Sequence, residues 1–249
     1  FNITIIAVAL MSFFNFFMIR RQISFWLSVG AIILFTLATG ASASIVRAAI
    51  MGILVLLAQR VGRLYQIRNA LVFAGAIMIF LNPKVLVWDL GFQLSFAATW
   101  GLVYLSPIFK IIFLEKADDF LPKSMLSLGD ILITTLAAQI AVLPLLVINF
   151  GQLSLISPLA NLLILPVIPL TMFFGFFATL AALIFLPLGE ILGLISWLLL
   201  TYEIKVIKFL ATMPLAVLKS RWTWFGGIFY YLILFCLVYY FRKKSKLIY

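Results

Sequence analysis

The chain has 249 residues, of which 66% are hydrophobic and 10% are charged, and its formal net charge is +11. A soluble domain is about 45–50% apolar and about 25% charged, so this composition excludes a soluble globular protein. The chain contains no histidine, one cysteine and seven carboxylates. The absence of histidine disfavours zinc binding and general-base catalysis, and a single cysteine cannot form an intramolecular disulfide.

Contact with lipid restricts the secondary structure, because backbone groups in hydrocarbon must form hydrogen bonds within the protein. Helices and closed barrels meet this requirement. The apolar runs of this chain, such as 22–40 and 222–241, are continuous and about 20 residues long, whereas barrel strands alternate in polarity over about ten residues. The sequence therefore predicts an all-α fold, a polytopic transmembrane helix bundle.

The apolar segments follow one another with short polar junctions, apart from the loop at 110–127. Pro158, Pro166 and Pro169 interrupt one segment, where we expect one or more broken or re-entrant helices, since proline removes a helical hydrogen bond. Segment 189–212 carries charges and either spans the membrane or lies along its outer interface. The predicted segments are 1–19, 24–40, 45–62, 67–82, 90–109, 128–148, 153–186, 189–212 and 222–241.

No long linker or obvious repeat divides the sequence, so residues 1–249 are predicted to form a single domain. The chain begins at Phe1 within an apolar run and ends at Tyr249, just after a basic cluster. We therefore expect it to be a piece excised from a longer chain.

The placement of lysine and arginine predicts the orientation, because short cytoplasmic loops are enriched in both residues. If 24–40 runs outward, the basic clusters all lie on one side of the membrane, which is then the cytoplasmic side. The loop at 110–127 and the stretch after Arg242 are therefore expected in the cytoplasm. The clusters comprise Arg20, Arg21, Arg60, Arg63, Arg68, Lys110, Lys116, Lys123, Arg242, Lys243, Lys244 and Lys246, and the opposite side holds Lys84, Lys219 and Arg221.

Small residues at 40–44 separate two predicted spans. Ser44 is a natural N-cap, which makes Arg47 the third residue of the following helix. A cation at that position opposes the helix dipole unless an anion joins it. Free amides, the hydroxyls of Ser42 and Ser44 and the guanidinium together suggest a phosphate site. An arginine that reaches lipid headgroup phosphates explains Arg47 equally well.

The start of the fifth span is rich in polar and aromatic side chains. Gln93 cannot face lipid without cost, so we expect it to point at neighbouring helices or, with Ser95, at a wet path. Phe92, Phe96 and Trp100 form one stripe of the helix. Stacked bases would suit this stripe, but packing against lipid or other helices is the favoured interpretation.

Polar groups also lie inside later segments. Gln139 is in the middle of span 128–148, where it either bonds a neighbouring helix or forms part of the polar wall of a conduit. Asn161 lies in the proline-broken segment, whose helix ends either point at a substrate or serve packing alone. We predict that the polar groups converge on one membrane-crossing cavity. The predicted path residues are Ser42, Ser44, Arg47, Gln93, Ser95, Gln139 and Asn161.

Several short motifs occur in a defined order along the chain. They are Gly40-Ala41-Ser42-Ala43-Ser44, Arg47-Ala48, Met51, Asn82-Pro83, Gly91-Phe92-Gln93-Leu94-Ser95-Phe96, Gln139, Pro144, Phe150-Gly151, Asn161 and Pro166. This ordered set resembles the competence domain of the ComEC family of DNA-uptake channels. The resemblance covers about residues 30–170, and the ends of the chain match in hydropathy alone.

The resemblance implies that one strand of DNA passes through the bacterial cytoplasmic membrane into the cytoplasm during natural transformation. Besides single-stranded DNA and the lipid bilayer, the implied partners are a DNA receptor and a cytoplasmic ATPase. The family also implies flanking OB-like and metallo-β-lactamase-like domains in the same chain. Because these 249 residues contain no histidine-rich metal motif, we expect no enzymatic activity, metal or cofactor here.

The alternative function is an ion- or proton-coupled secondary transporter of a small solute. Such a transporter needs a coupling carboxylate at membrane depth. The carboxylates nearest to the spans, namely Asp89, Asp130, Glu190 and Glu203, lie close to span ends. A purely structural scaffold would explain neither the broken helix nor the polar residues within spans. The sequence therefore favours the DNA channel.

Overall fold

The computed structural model describes residues 21–113, 123–213 and 217–244 of the chain. The predicted span 1–19 and the centre of the loop at 110–127 lie outside the described residues. The described part folds into helices joined by short turns, with two three-residue strands. In chain order the elements are α1 (Arg21–Ala38), α2 (Ala43–Val61), α3 (Ile67–Leu81), α4 (Val85–Trp88), α5 (Leu90–Phe113), α6 (Lys123–Phe150), β1 (Gln152–Ser154), α7 (Ser157–Ile164), α8 (Ile168–Ile184), α9 (Leu186–Ala211), β2 (Val217–Lys219) and α10 (Trp224–Lys244).

Four of the described helices are long and apolar enough to cross a membrane, namely α2, α5, α6 and α10. The pair α7 and α8 passes the same test jointly, with a bend of 50° between its members, and forms either a fifth span or a re-entrant loop. This architecture confirms the predicted fold class, a polytopic transmembrane helix bundle with a broken helix. The break follows from the prolines predicted to cause it, since Pro166 lies between the two helices.

Three other apolar segments differ from the predicted spans in length or composition. Helices α1 and α3 have 18 and 15 residues, which correspond to about 27 and 22 Å at the usual helical rise. Helix α9 has 26 residues, but it is not among the described helices that are both long and apolar enough to cross a membrane. Its length suits either a crossing or an interfacial helix.

Two compact units divide the chain between Val103 and Tyr104, within α5. In the first unit, α1 packs on α2 around a core that includes Phe25, Ile32 and Leu56. Helix α3 also packs on α2 and contacts α4. Apolar burial between neighbouring helices therefore organises the unit that contains most of the predicted path residues.

The turn between α1 and α2 depends on its small residues. Gly40 and Ala41 have positive φ angles of 81° and 47°, which glycine adopts at no steric cost and alanine adopts rarely. The backbone N–H of Ala41 donates to the carbonyl of Thr36 at 2.9 Å. The small-residue motif thus ends one helix and begins the next, as predicted.

In the second unit, α8 and α9 form the closest helix pair. A Cβ atom on Gly189 would lie 2.4 Å from the Cβ of Ala182, and one on Gly175 would lie 3.3 Å from the hydroxyl of Ser196. Small residues let helix backbones approach closely, which is the usual basis of helix association in membranes. The pair therefore forms a closely packed helical hairpin, and its first helix, α8, is also the second half of the broken helix.

The strands β1 and β2 form a small antiparallel sheet in which Leu153 is opposite Leu218. Gly151, with a φ of 64°, turns the chain from α6 into β1. The sequence analysis did not predict this sheet, because three residues are too few to show strand periodicity. The sheet joins the start of α10 to the end of α6.

Candidate functional site

Arg47 lies deeper in its helix than predicted. Helix α2 begins at Ala43, with Ser42 in the N-cap position, so the prediction that Ser44 is the N-cap and Arg47 the third helical residue is wrong. The reason is the turn: Ser42 already has the extended φ and ψ of −59° and 153° that precede a helix. Its hydroxyl makes no capping hydrogen bond and lies 3.4 Å from that of Ser44.

The side chain of Arg47 reaches across to α5. Its Nε donates a hydrogen bond to Ser95 Oγ at 2.5 Å, and its Nη1 lies 3.3 Å from the Sδ of Met51, one turn further along α2. The structure therefore brings two of the predicted path residues, Arg47 and Ser95, into direct contact.

Arg47 is partly buried and lacks an acidic partner in the part of the chain that the structure describes. A guanidinium has five N–H donors, and the contacts with Ser95 and Met51 use two of its nitrogens. Tyr65 lies in the loop after α2, where burial raises the pKa of its hydroxyl and the nearby Arg47 partly offsets that rise. Tyr65 is therefore a neutral neighbour at physiological pH. A cation in this setting favours an anionic ligand.

Gln93 turns back onto the short helix α4. Its Nε2 donates to the carbonyl oxygens of Leu86 and Val87 at 3.0 and 2.9 Å. The amide thus caps α4, a local role that the sequence analysis did not foresee. Its Oε1 is buried and has no hydrogen-bond partner among the described residues. A buried acceptor without a partner is unusual in a folded protein and is costly in free energy.

The aromatic stripe at the start of α5 is used for packing. Phe92 is buried, and its ring stacks on that of Phe96 with centroids 4.2 Å apart. On the far side of Phe96, a Cβ atom on Gly75 of α3 would lie 3.0 Å from the ring. Phe96 thus packs against α3, and Phe92 is buried beside it, in agreement with the packing interpretation.

Gln139 and Asn161 belong to the second unit. Gln139 Nε2 donates to the carbonyl oxygen of Ser154 at 2.6 Å, which ties β1 to α6. Its Oε1 is buried without a partner among the described residues, like that of Gln93. Asn161 is partly buried in α7, where its carbonyl accepts the N–H of Leu165 at the helix end. Convergence of all seven path residues on one cavity stays a prediction.

A polar contact at the broken helix was not predicted from the sequence. Thr171 Oγ1, in the first turn of α8, donates to Glu203 Oε1 of α9 at 2.7 Å. The neighbouring Tyr202 donates to the carbonyl of Leu163, near the end of α7, at 3.4 Å. Glu203 therefore faces the break between two half-helices, well before the end of α9 at Ala211. The charge of Glu203 within an apolar segment could be recognised from the sequence, but its partner Thr171 depends on how α8 and α9 pack.

Comparison with known proteins connects the chain to one family. The family model described as Competence protein matches residues 1–245. A curated relative, ComE operon protein 3 of Bacillus subtilis (strain 168), is 33% identical over 133 residues. That match covers 53% of this chain and 16% of the relative, so the chain corresponds to a small part of the relative's length. No solved structure matches the chain.

Proposed function

Because this chain belongs to the Competence protein family, we propose that it forms the membrane-crossing path by which single-stranded DNA enters the cytoplasm during natural transformation. The family and the ComE operon relative support a role in DNA uptake. Helices long and apolar enough to cross a bilayer support a path through one. The proposal assigns transport to this chain, without a catalytic step, a metal or a cofactor.

Arg47 is the observation that carries the proposal. A strand of DNA has a negative charge at every phosphate, and hydrocarbon strongly opposes the passage of charge. The guanidinium of Arg47 is held by Ser95 but has no acidic partner among the described residues. Its remaining N–H donors suit the oxygens of a phosphate, which arginine binds with two parallel hydrogen bonds. We expect each passing phosphate to supply the missing negative charge for a short time.

The other path residues supply polar surface instead of charge. The Oε1 atoms of Gln93 and Gln139 are buried without a partner among the described residues, and we propose that they become acceptors for water or base N–H groups when the path opens. Ser42 and Ser44 stand at the start of α2, and Asn161 stands in the first half of the broken helix. These side chains would let bases pass with little sequence preference.

The proposal places the chain in the bacterial cytoplasmic membrane as a multi-pass protein. The basic loops and the stretch after Arg242 then face the cytoplasm. Proposed partners are flanking OB-like and metallo-β-lactamase-like domains of the same chain, a DNA receptor on the outside and an ATPase on the inside. An ATPase would provide the work that this chain, as a passive path, does not.

Substitution of Arg47 tests the proposal in transformable cells. We expect Arg47→Ala to abolish uptake of DNA while leaving the amount of folded protein unchanged. Arg47→Lys should retain part of the DNA uptake, since lysine keeps the charge but lacks the planar guanidinium. The matched control is Arg60→Ala at the other end of α2, where the guanidinium lies 4.7 Å from the ring centre of Phe25. Normal transformation by well-expressed Arg47→Ala would return Arg47 to a headgroup-binding role.

A second candidate function, ion- or proton-coupled transport of a small solute, draws support from Glu203. Its carboxylate faces the break between α7 and α8, and discontinuous helices often border ion sites in transporters. A proton gradient imposed across proteoliposomes separates the two functions. Proton entry that is lost in Glu203→Gln but kept in Glu190→Gln would favour a coupled transporter, whereas a DNA path predicts no flux that depends on Glu203.

A further inference from the structure

A shallow, open cleft of about 340 Å³ lies beside the short helix α4, between the end of α3 and the start of α5. The cleft has polar as well as apolar walls. Its lining residues are Asn82, Lys84, Val85, Trp88, Asp89 and Leu90.

The backbone around this cleft is held by side-chain hydrogen bonds. Asn82 Oδ1 accepts the N–H of Lys84 at 3.1 Å, and Asp89 Oδ1 accepts the N–H of Phe92 at 2.9 Å, which caps the start of α5. Gln93 caps the other end of α4 through the two carbonyls described above. A four-residue helix is marginal by itself, so these amide and carboxylate contacts give the cleft a defined shape.

Two side chains of different chemistry face the cleft and remain available. Lys84 and Trp88 are separated by four residues across one helical turn, so they lie on the same face. Lys84 is exposed, and the indole of Trp88 is 82% exposed, compared with 64% for Trp26 and 61% for Trp224. No carboxylate oxygen lies within 4.0 Å of the Lys84 ammonium in the described ranges. A free cation and a free aromatic face thus border one small volume.

We propose that this cleft binds one nucleotide of single-stranded DNA before the strand enters the membrane. The base stacks on the indole of Trp88, and the adjacent phosphate pairs with Lys84. Sites for single strands combine such positive and aromatic groups, because every base has a π-face. Asn82 and Asp89 offer acceptors to the edge of the base. The inference rests on the proposed function and on the predicted orientation, which places Lys84 on the outer side.

A tryptophan and a lysine also occur together as membrane-interface anchors. An anchor needs no adjoining polar cleft and no hydrogen-bond acceptors at its edge, such as those of Asn82 and Asp89. The exposed ring of Trp88 and the ammonium of Lys84 beside this cleft therefore favour a ligand with both a flat ring and a phosphate. The membrane-anchor role becomes one outcome of the test.

The test uses the full chain in phosphatidylcholine nanodiscs and a fluorescent oligothymidylate. We expect Trp88→Leu to weaken binding by at least about fivefold, in line with the stacking contribution of a single base, while Trp88→Phe keeps most of it. Lys84→Gln should reduce the slope of log affinity against log salt by about 0.7, the value for one phosphate contact on a single strand. The matched controls are Trp224→Leu and Lys219→Gln, which we expect to bind like the unaltered chain.

Three results would overturn the inference. One is oligothymidylate binding that Trp88→Leu and Lys84→Gln leave unchanged. Another is no binding by the unaltered chain in nanodiscs, although cells that carry it transform normally. The third is strong quenching of Trp88 fluorescence by brominated lipids, where the Trp88 signal is the part of the fluorescence that is lost in Trp88→Phe. That result would make Trp88 a membrane anchor. Failure of the proposed function can be told apart from failure of this inference. If the proposed function is wrong, cells with Arg47→Ala will transform normally, whether or not the cleft binds DNA.

Discussion

The hydroxyl of Tyr231 in α10 donates a hydrogen bond to the backbone carbonyl oxygen of Ala141 in α6, at 2.9 Å. The adjacent Tyr230 donates to the carbonyl oxygen of Ile140 at 3.0 Å. Pro144 lies four residues after Ile140 and is fully buried. Because proline has no N–H, it leaves the carbonyl four residues before it without its helical donor. The hydroxyl of Tyr230 therefore supplies a hydrogen bond to the carbonyl that lacks its helical donor, and Tyr231 adds a second bond to the next carbonyl.

We expect Tyr230→Phe to destabilise the folded chain by about 0.6–1.7 kcal/mol, the range measured for hydrogen bonds between membrane helices. The loss arises because the carbonyl of Ile140 is left without a donor. In a Pro144→Ala background the new N–H of residue 144 can bond that carbonyl, so the same change should cost less. Denaturant unfolding in detergent gives the four stabilities of this double-mutant cycle.

The control for that cycle is Tyr239→Phe, because Tyr239 is largely exposed and makes no hydrogen bond with the described residues. Its stability should equal that of the unaltered chain. An equal cost of Tyr230→Phe with and without Pro144 would contradict the compensation argument.

The hairpin of α8 and α9 makes a second prediction about stability. Gly189→Ala is expected to lower the free energy of unfolding by about 1–3 kcal/mol, the usual cost of overpacking. Its Cβ would meet the backbone of Ala182, which cannot rotate away. Gly193 has open space around it, so Gly193→Ala should be neutral or stabilise the helix by about 0.5–1 kcal/mol. Thermal unfolding in detergent measures both, and equal effects would show that α8 and α9 are not closely packed.

Ser95 is expected to act through Arg47. Ser95→Ala should lower transformation less than Arg47→Ala, because the guanidinium stays in place but loses the hydrogen bond that holds it. In an Arg47→Ala background, Ser95→Ala should have no further effect. The control is Ser28→Ala, since the Ser28 hydroxyl is buried without a partner in the described part of the chain. Independent losses from the two substitutions would separate Ser95 from Arg47.

Cysteine labelling tests the orientation. In a Cys236→Ser background, a membrane-impermeant maleimide added to intact cells should label Lys219→Cys but not Lys116→Cys or Lys243→Cys. The basic clusters are the reason, because positive charges are retained on the cytoplasmic side. Labelling of all three after the cells are permeabilised shows that the sites are reactive. Modification of Lys116→Cys from outside would reverse the orientation.

Composition and the lengths of the apolar runs determined the fold class. Hydrocarbon offers the backbone no hydrogen-bond partner, so a long apolar run has to form a helix whatever surrounds it. The span predicted at 90–109 corresponds to α5, and the prolines of 153–186 mark the break that the structure shows. These features depend on neighbouring residues in the chain, which is why they could be predicted.

The partners of the polar side chains were decided by the tertiary structure. Arg47 and Ser95 could each be recognised as unusual within a span, but their hydrogen bond joins residues 48 positions apart. Which face of α2 meets α5 depends on how apolar side chains pack together, and periodicity does not encode it. The hydrogen bond between Thr171 and Glu203 was unreadable for the same reason. A polar group in a membrane must find a partner, and only the packed helices determine which groups come within reach.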